Sequence, residues 1–460
     1  RRHLPRAQEG GTTPLMQAPR LAAAILLSAC LAPMAPMAPA ETVKDREGAV
    51  RGDRAAMEKN DRWIYNDIGQ GFREARSSGR PLMVVLRCVP CMACMGIDAA
   101  VLTSPELSPI LDQFVRVRVI NANDLDLARF QFDFDLSFST VFFNGDGTLY
   151  GRFGSWQHQR NPQEADLAGF RAALETTLEL HRGYPANRSS LQGKQGRALP
   201  FRSPLEIPGL AGRYQRTLDW EGKVVQSCVH CHQIGDAIRT QHRTRDGSIP
   251  PEWIYPMPSP ETVGFRLEPD RAATVSEVQP ESPAGQSGLR PGDRITAFDG
   301  QPPISAADIS WVLHAAPGTA TLPMAIERGG QPLKLELRLG PDWRYRSDIS
   351  RRVGTWGLRA MAFGGLQLID LTDEERRERG IDTRSLALRV LHAGEYGIHA
   401  AAKNAGFRKD DILVEVAGHS ERASESTLLG RLLRDHRPGA RVDATVLRGR
   451  ERLPLSLPIQ

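Results

Sequence analysis

Residues 87–95 read RCVPCMACM, with Cys88, Cys91 and Cys94 at intervals of three, so two C-x-x-C pairs overlap on one central thiol. A second cluster lies at 228–232, Cys228-Val-His-Cys231-His232. Thiols at this spacing support dithiol–disulfide exchange, coordination of a soft or borderline metal, or covalent attachment of a porphyrin. The second cluster fits C-x-x-C-H, in which both thiols form thioethers to the haem vinyls and His232 ligates iron. The first cluster lacks a histidine and stands among Met92 and Met95, a soft set suited to thiol redox or to copper as Cu(I).

Both chemistries depend on compartment. From Met16 the chain has a short basic region at Arg20, an apolar run LAAAILLSACLA at 21–32, and APA at 38–40 before Glu41. Twelve apolar residues are too few for a spanning helix, which needs about 20, but suit an export signal over residues 1–40. LSAC at 27–30 also fits a lipobox, which would make Cys30 a lipid-bearing terminus and the sole membrane attachment. Either route places the mature chain in the periplasm or the wider envelope, where disulfides persist and c-type haem is attached. The formal charge of +5 owes +3 to the first forty residues, and the rest gives no argument for a nucleic-acid partner. At 460 residues, 40% hydrophobic and 25% charged, the chain should fold as several domains.

The elements around the first cluster alternate. Ile68, Phe72 and Ala75 recur at helical spacing, PLMVVL (81–86) reads as a buried strand, and TSPELSPILDQF (103–114) as a helix capped by Ser104. VRVRVI (115–120) alternates as a strand, TVFFNGDGTLYGRFG (140–154) as a hairpin, and Leu167, Phe170, Ala173, Leu174 and Leu178 make a helical face. This order over 50–183 resembles the thioredoxin fold, in which C-x-x-C opens the helix after a strand. The resemblance puts Cys91–Cys94 at the redox position, with Cys91 as nucleophile, Cys94 as resolving thiol and Cys88 as an extra thiol. The helix dipole would lower the pKa of Cys91, the residue facing the positive end. The sequence departs from the family at FSTVFF, where Ser139 stands in place of the cis-proline that faces the active site. Copper at Cys88, Cys91 and Cys94 is the alternative.

Residues 184–209 are rich in Pro, Gly, Ser and Arg and read as a linker. The C-x-x-C-H segment over 210–260 has flanks that resemble cytochrome c attachment sites, implying haem c on Cys228 and Cys231 with His232 on iron. Met257, in WIYPMPSP, is the expected sixth ligand, with His242 as the substitute.

ESPAGQSGLRPGDRITAFDGQPP (281–303) and HAAAKNAGFRKDDILVEVAGHSE (399–421) form an internal repeat, aligned with one slip. Both units, 261–340 and 355–460, resemble PDZ domains of envelope proteases. The resemblance implies binding of polypeptide C-termini, with the carboxylate held by Val263, Gly264 and Phe265, or by the Phe363–Leu366 loop in the second unit. Without G-x-S-x-G or H-E-x-x-H, no protease is expected. The expected protein is therefore multidomain: an α/β thioredoxin-like domain, a short C-x-x-C-H segment and two β-rich α+β PDZ-like domains. It resembles a family of bacterial envelope thioredoxin-like/PDZ (seleno)proteins. The expected role is a thiol-disulfide oxidoreductase with PDZ units that recruit a polypeptide; the rival is a non-enzymatic scaffold.

Overall fold

A computed structural model describes residues 45–87, 102, 104–136, 138–154, 165–271 and 273–460. Cys30, Cys88, Cys91 and Cys94, and with them the export signal and the first thiol cluster, lie outside the described residues. Helix α1 (Arg46–Met57) is followed by β1 (Ile64–Tyr65), α2 (Ile68–Ser78), β2 (Leu82–Arg87), α3 (Ser108–Leu111), β3 (Val115–Val119), the hairpin β4 (Phe138–Phe143) and β5 (Leu149–Phe153), and α4 (Ala165–Arg182). The sheet order is β1-β3-β2-β4-β5, parallel through β2 and antiparallel beyond. The expected strand–helix–hairpin order holds, with β1 an added edge too short to show periodicity. The helix expected from Ser104 is only the turn α3. Pro109 has no N–H to give and is tolerated only in a first turn, and α3 begins at Ser108 beside it.

The period-two alternation of β2 splits the core. Leu82, Val84 and Leu86 pack on one face of the sheet, Met83 and Val85 on the other. The second face is covered by Phe170 and Leu174 of α4 and by Ile304 from beyond the C-x-x-C-H segment. On the first face lie α2 and, less expectedly, helix α5 (Cys231–Asp246), which begins inside the C-x-x-C-H motif. Val229, Ile234, Ala237 and Ile238 join the same core as Val117 and Phe143. The segment read as a separate module is thus a layer of the thioredoxin-like sheet. Residues 184–209 also carry short helical turns and bury Leu191, Lys194 and Ile207.

The first C-terminal unit has β6 (Phe265–Leu267) paired with β7 (Val275–Val278), then β8 (Arg294–Phe298), helix α6 (Ala306–Ala315), β9 (Ala320–Arg328) and β10 (Gln331–Leu339) in the order β10-β9-β8. The second has α7 (Thr355–Phe363), β11 (Leu366–Asp370), β12 (Leu388–Ala393), β13 (Ile412–Val416), α8 (Glu425–Asp435), β14 (Arg441–Arg448) and β15 (Glu451–Pro458) in one antiparallel sheet. The repeat is legible in three dimensions. Arg328 clamps Asp293 and the Gly288 carbonyl, and Arg448 does the same with Asp411 and the Gly406 carbonyl. Gly288–Gly300 and Gly406–Gly418 therefore correspond residue for residue, without the slip. Asp410 takes a left-handed φ of 70° where Gly292 takes 87° in the first unit.

Candidate functional site

The carboxyl ends of β2 and β3 meet the C-x-x-C-H motif. Leu86, Arg87, Val119 and Ile120 border a cavity of about 30 Å³ together with Cys228, His230 and Cys231. Cys228 turns its thiol onto the Ile120 carbonyl at 3.2 Å, and burial pushes it up to about 11, so it is a protonated thiol at neutral pH. Cys231 is the first residue of α5. His230 caps that helix, and burial lowers its imidazole to about 4. Asn123, which sequence reasoning missed, fixes the approach. Its fully buried amide donates to the Gln215 and Ser227 carbonyls at 2.7 and 2.8 Å and accepts from Val229 N–H at 2.7 Å. One signal was present: two amides, Asn121 and Asn123, just after a strand in INAND, at the place where a thioredoxin-like sheet carries its chemistry.

A haem fits the donor types of this motif and not its described geometry. Cofactor pockets of drug-like size run to roughly 300–1,000 Å³, whereas the space beside Cys228 is about 30 Å³ and the apolar face of α5 is already packed on the sheet. His232 is partly exposed, with Nδ1 3.5 Å from Asp236. Met257 is buried in a different cavity, its carbonyl accepting from Arg352 at 3.1 Å. The described residues thus do not bring the two expected iron ligands into one pocket. His242 pairs with Asp246 at 3.2 Å. No group of three or more potential ligands from His, Cys, Asp and Glu is assembled among the described residues.

In the first C-terminal unit Val263 ends a tight turn, Gly264 takes φ +93°, and Phe265 opens β6. A Cβ on Gly264 would lie 2.0 Å from that of Ser282, so only glycine fits. Its N–H donates to the Glu261 carbonyl at 3.1 Å. In the second unit Glu425, the first residue of α8, accepts the β11 edge N–H of Leu368 at 2.7 Å while its carboxylate is clamped by Arg359.

The two kinds of domain inferred from this geometry are matched independently. A thioredoxin-like family model matches residues 63–145 and a PDZ domain model residues 274–328. Among curated relatives, a DegP-like periplasmic serine endoprotease of Halomonas elongata is 27% identical over 210 residues, 44% of this chain and 41% of the relative. The periplasmic pH-dependent serine endoprotease DegQ of Escherichia coli is 29% identical over 153 residues, covering 33% and 30%. A Ralstonia nicotianae protein named as a zinc metalloprotease is 41% identical over 98 residues, 21% of each chain. The chain spans about two fifths or less of the length of these relatives. A solved HtrA-type protease with a decapeptide aligns at 15% identity and a TM-score of 0.20, covering 30% of this chain and 40% of that one. These names overturn the expectation of no protease: the curated relatives are named as serine endoproteases and, for one, as a zinc metalloprotease.

Proposed function

We propose that this chain is a periplasmic thiol-disulfide oxidoreductase-like protein whose first PDZ unit recruits the polypeptide to be acted on. The observation that carries the reading is the packing of a second C-x-x-C against the carboxyl end of the thioredoxin-like sheet. Cys228 and Cys231 share a cavity with Leu86 and Arg87, and Arg87 is the last residue before Cys88. Two dithiols in sequence suit stepwise exchange. The Cys91 thiolate attacks a substrate disulfide, Cys94 resolves the mixed disulfide, and the substrate leaves as a dithiol while the protein keeps the new disulfide. The apolar run before APA and the periplasmic relatives support export. Brief alkylation of the reduced protein with mass mapping tests it: Cys91 should label first and Cys228 last. Fastest labelling of Cys88 would sink the assignment.

The relatives favour a second reading, proteolysis of envelope polypeptides. Their names span serine and zinc chemistry, so what this chain shares with them suits handling of polypeptide substrates. Casein turnover by the purified chain, with and without a serine-directed inhibitor, separates the two readings.

A further inference from the structure

A cavity of about 710 Å³ lies at the carboxyl end of α6. The chain between the thioredoxin-like sheet and α5 reaches it through Arg197 and Leu199, the first C-terminal unit through His314 and Pro317, and the second through Arg434 of α8. It shares no lining residue with the Val263–Phe265 turn, with the cavity beside Cys228 or with the one that holds Met257. Its volume suits a small molecule, for which sites run to roughly 300–1,000 Å³.

Trp253, Trp311, Trp343 and Tyr345 give the wall its aromatic surface. The two buried indoles have already spent their N–H groups, Trp311 on the Gly193 carbonyl at 2.9 Å and Trp343 on the Pro317 carbonyl at 3.1 Å. They meet the cavity with ring carbon alone. The polar groups left over are donors. Arg344 is buried on this wall and uses Nη2 to cap α6, donating to the His314 and Ala316 carbonyls. Its Nη1 is buried and finds no acceptor among the described residues. Burial lowers this guanidinium to about 10 and Glu252 opposes the shift, so it stays charged at neutral pH. Glu252 stands on the same wall without forming an ion pair to it among the described residues, and Asp342 meets Arg434 at 3.6 Å. His314, half-buried, accepts the Met257 N–H on Nδ1 at 3.5 Å, which leaves the proton of the neutral ring on Nε2 as a second donor. Exposed Arg197 adds positive charge at the rim.

We propose that this cavity binds a flat, ring-bearing organic acid, whose anionic group takes the free donors of Arg344 and His314 and whose rings lie against Trp253, Trp311 and Tyr345. A buried polar group without a partner is rare because it is costly, and an anion on Nη1 removes that cost through a charge-assisted hydrogen bond. The aromatic wall supplies the remaining contact, ring carbon on ring carbon. A neutral ring would leave Nη1 bare, and a small inorganic anion would leave the aromatic wall against water. The inference goes beyond the recruitment reading and does not depend on it.

The test uses the full mature chain and two dyes with one ring system: anilinonaphthalene sulfonate, an anion, and N-phenylnaphthylamine, the same rings without the sulfonate. Both brighten in apolar surroundings, so fluorescence titration reads either. The sulfonate should bind one-to-one, and the neutral dye about tenfold more weakly or worse. Arg344→Met should bring the sulfonate down to the level of the neutral dye; undiminished binding there would overturn the role of Arg344. Because Arg344 also caps α6, the comparison of the two dyes on the parent chain decides alone if that variant does not fold. Gly318 lines the cavity, and a Cβ there meets nothing within 4 Å, so Gly318→Trp fills the space without disturbing its neighbours. It should abolish binding of both dyes. Equal affinity of the parent chain for the two dyes would overturn the anion site. Unchanged binding to the Gly318→Trp protein would place the dye elsewhere and overturn the cavity, as would failure of the sulfonate to bind at all.

Discussion

Asn123 shows how one buried amide can hold a reactive segment in register. It satisfies two carbonyl acceptors and one N–H donor in the irregular segment around Cys228, and is fully buried. Asn123→Ala would leave the Gln215 and Ser227 carbonyls and the Val229 N–H without partners, at about 1–3 kcal/mol for each group that stays buried. The expected result is a destabilised loop with Cys228 uncovered. Native-state reaction of Cys228 with a thiol reagent should be slow in the parent and at least tenfold faster in the variant; unchanged reactivity would show that burial by Val50, Leu218 and Val224 suffices alone. The sequence made the C-x-x-C-H motif legible and left its surroundings hidden. The apolar residues after it, Ile234 and Ile238, suit a haem wall and a sheet face equally, since helical periodicity says which side is buried and not against what.

At the scale of elements, the sheet strands and α2 and α4 could be read from periodicity because each buries one regular face. The docking of α6 onto β5 could not, since it depends on three charged residues far apart in sequence. Asp308 of α6 accepts from Lys194 Nζ at 2.6 Å, from Arg152 N–H at 3.2 Å and from Ile304 N–H at 3.0 Å, all buried. Burial lowers the Lys194 ammonium despite the carboxylate beside it. Gly151 makes the approach possible, since a Cβ there would meet Asp308 Oδ2 at 2.5 Å and Ile304 Cγ1 at 2.6 Å. Removing one partner strands a buried charge, so Asp308→Leu or Lys194→Met should each cost about 3–5 kcal/mol, while the double variant recovers much of it. Urea midpoints of the three variants check this. A double variant as unstable as the sum of the singles would mean that the pair is not coupled.

Across the whole molecule, buried arginines join parts the sequence reads as separate domains. Asp135 receives Arg239 of α5 at 3.0 Å and Arg352, from the connection to the second unit, at 3.9 Å. Arg239 also donates to the Trp253 carbonyl, and Gly354 passes so close that a Cβ would meet Arg239 Nη1 at 2.1 Å. Burial pushes the Asp135 carboxyl up, and Arg239 and Arg352 more than reverse this, holding it below the usual carboxylate range. That contribution is present above the unfolded carboxylate pKa of about 3.9 and is lost only as pH falls further, through the depressed folded value. The histidines respond sooner. His314 sits between Trp253 and Trp311, and burial, with Arg344, Arg152, Arg352 and Arg197 around it, lowers its imidazole to about 3. Below pH about 6.5 the unfolded chain takes up a proton there that the folded chain refuses, so acidification favours unfolding by about 1.4 kcal/mol per pH unit for each such group. From pH 7 to 5 the loss should reach at most about 2 kcal/mol from His314, with a similar share from His230, whose folded value is about 4. His314→Asn should flatten this acid slope by about half at either end of a pH 7-to-5 comparison of urea midpoints, whatever its effect on absolute stability. An unchanged slope would mean that His314 is protonated in the folded protein, and that the junction of Trp253, Trp311 and Arg344 is open to water.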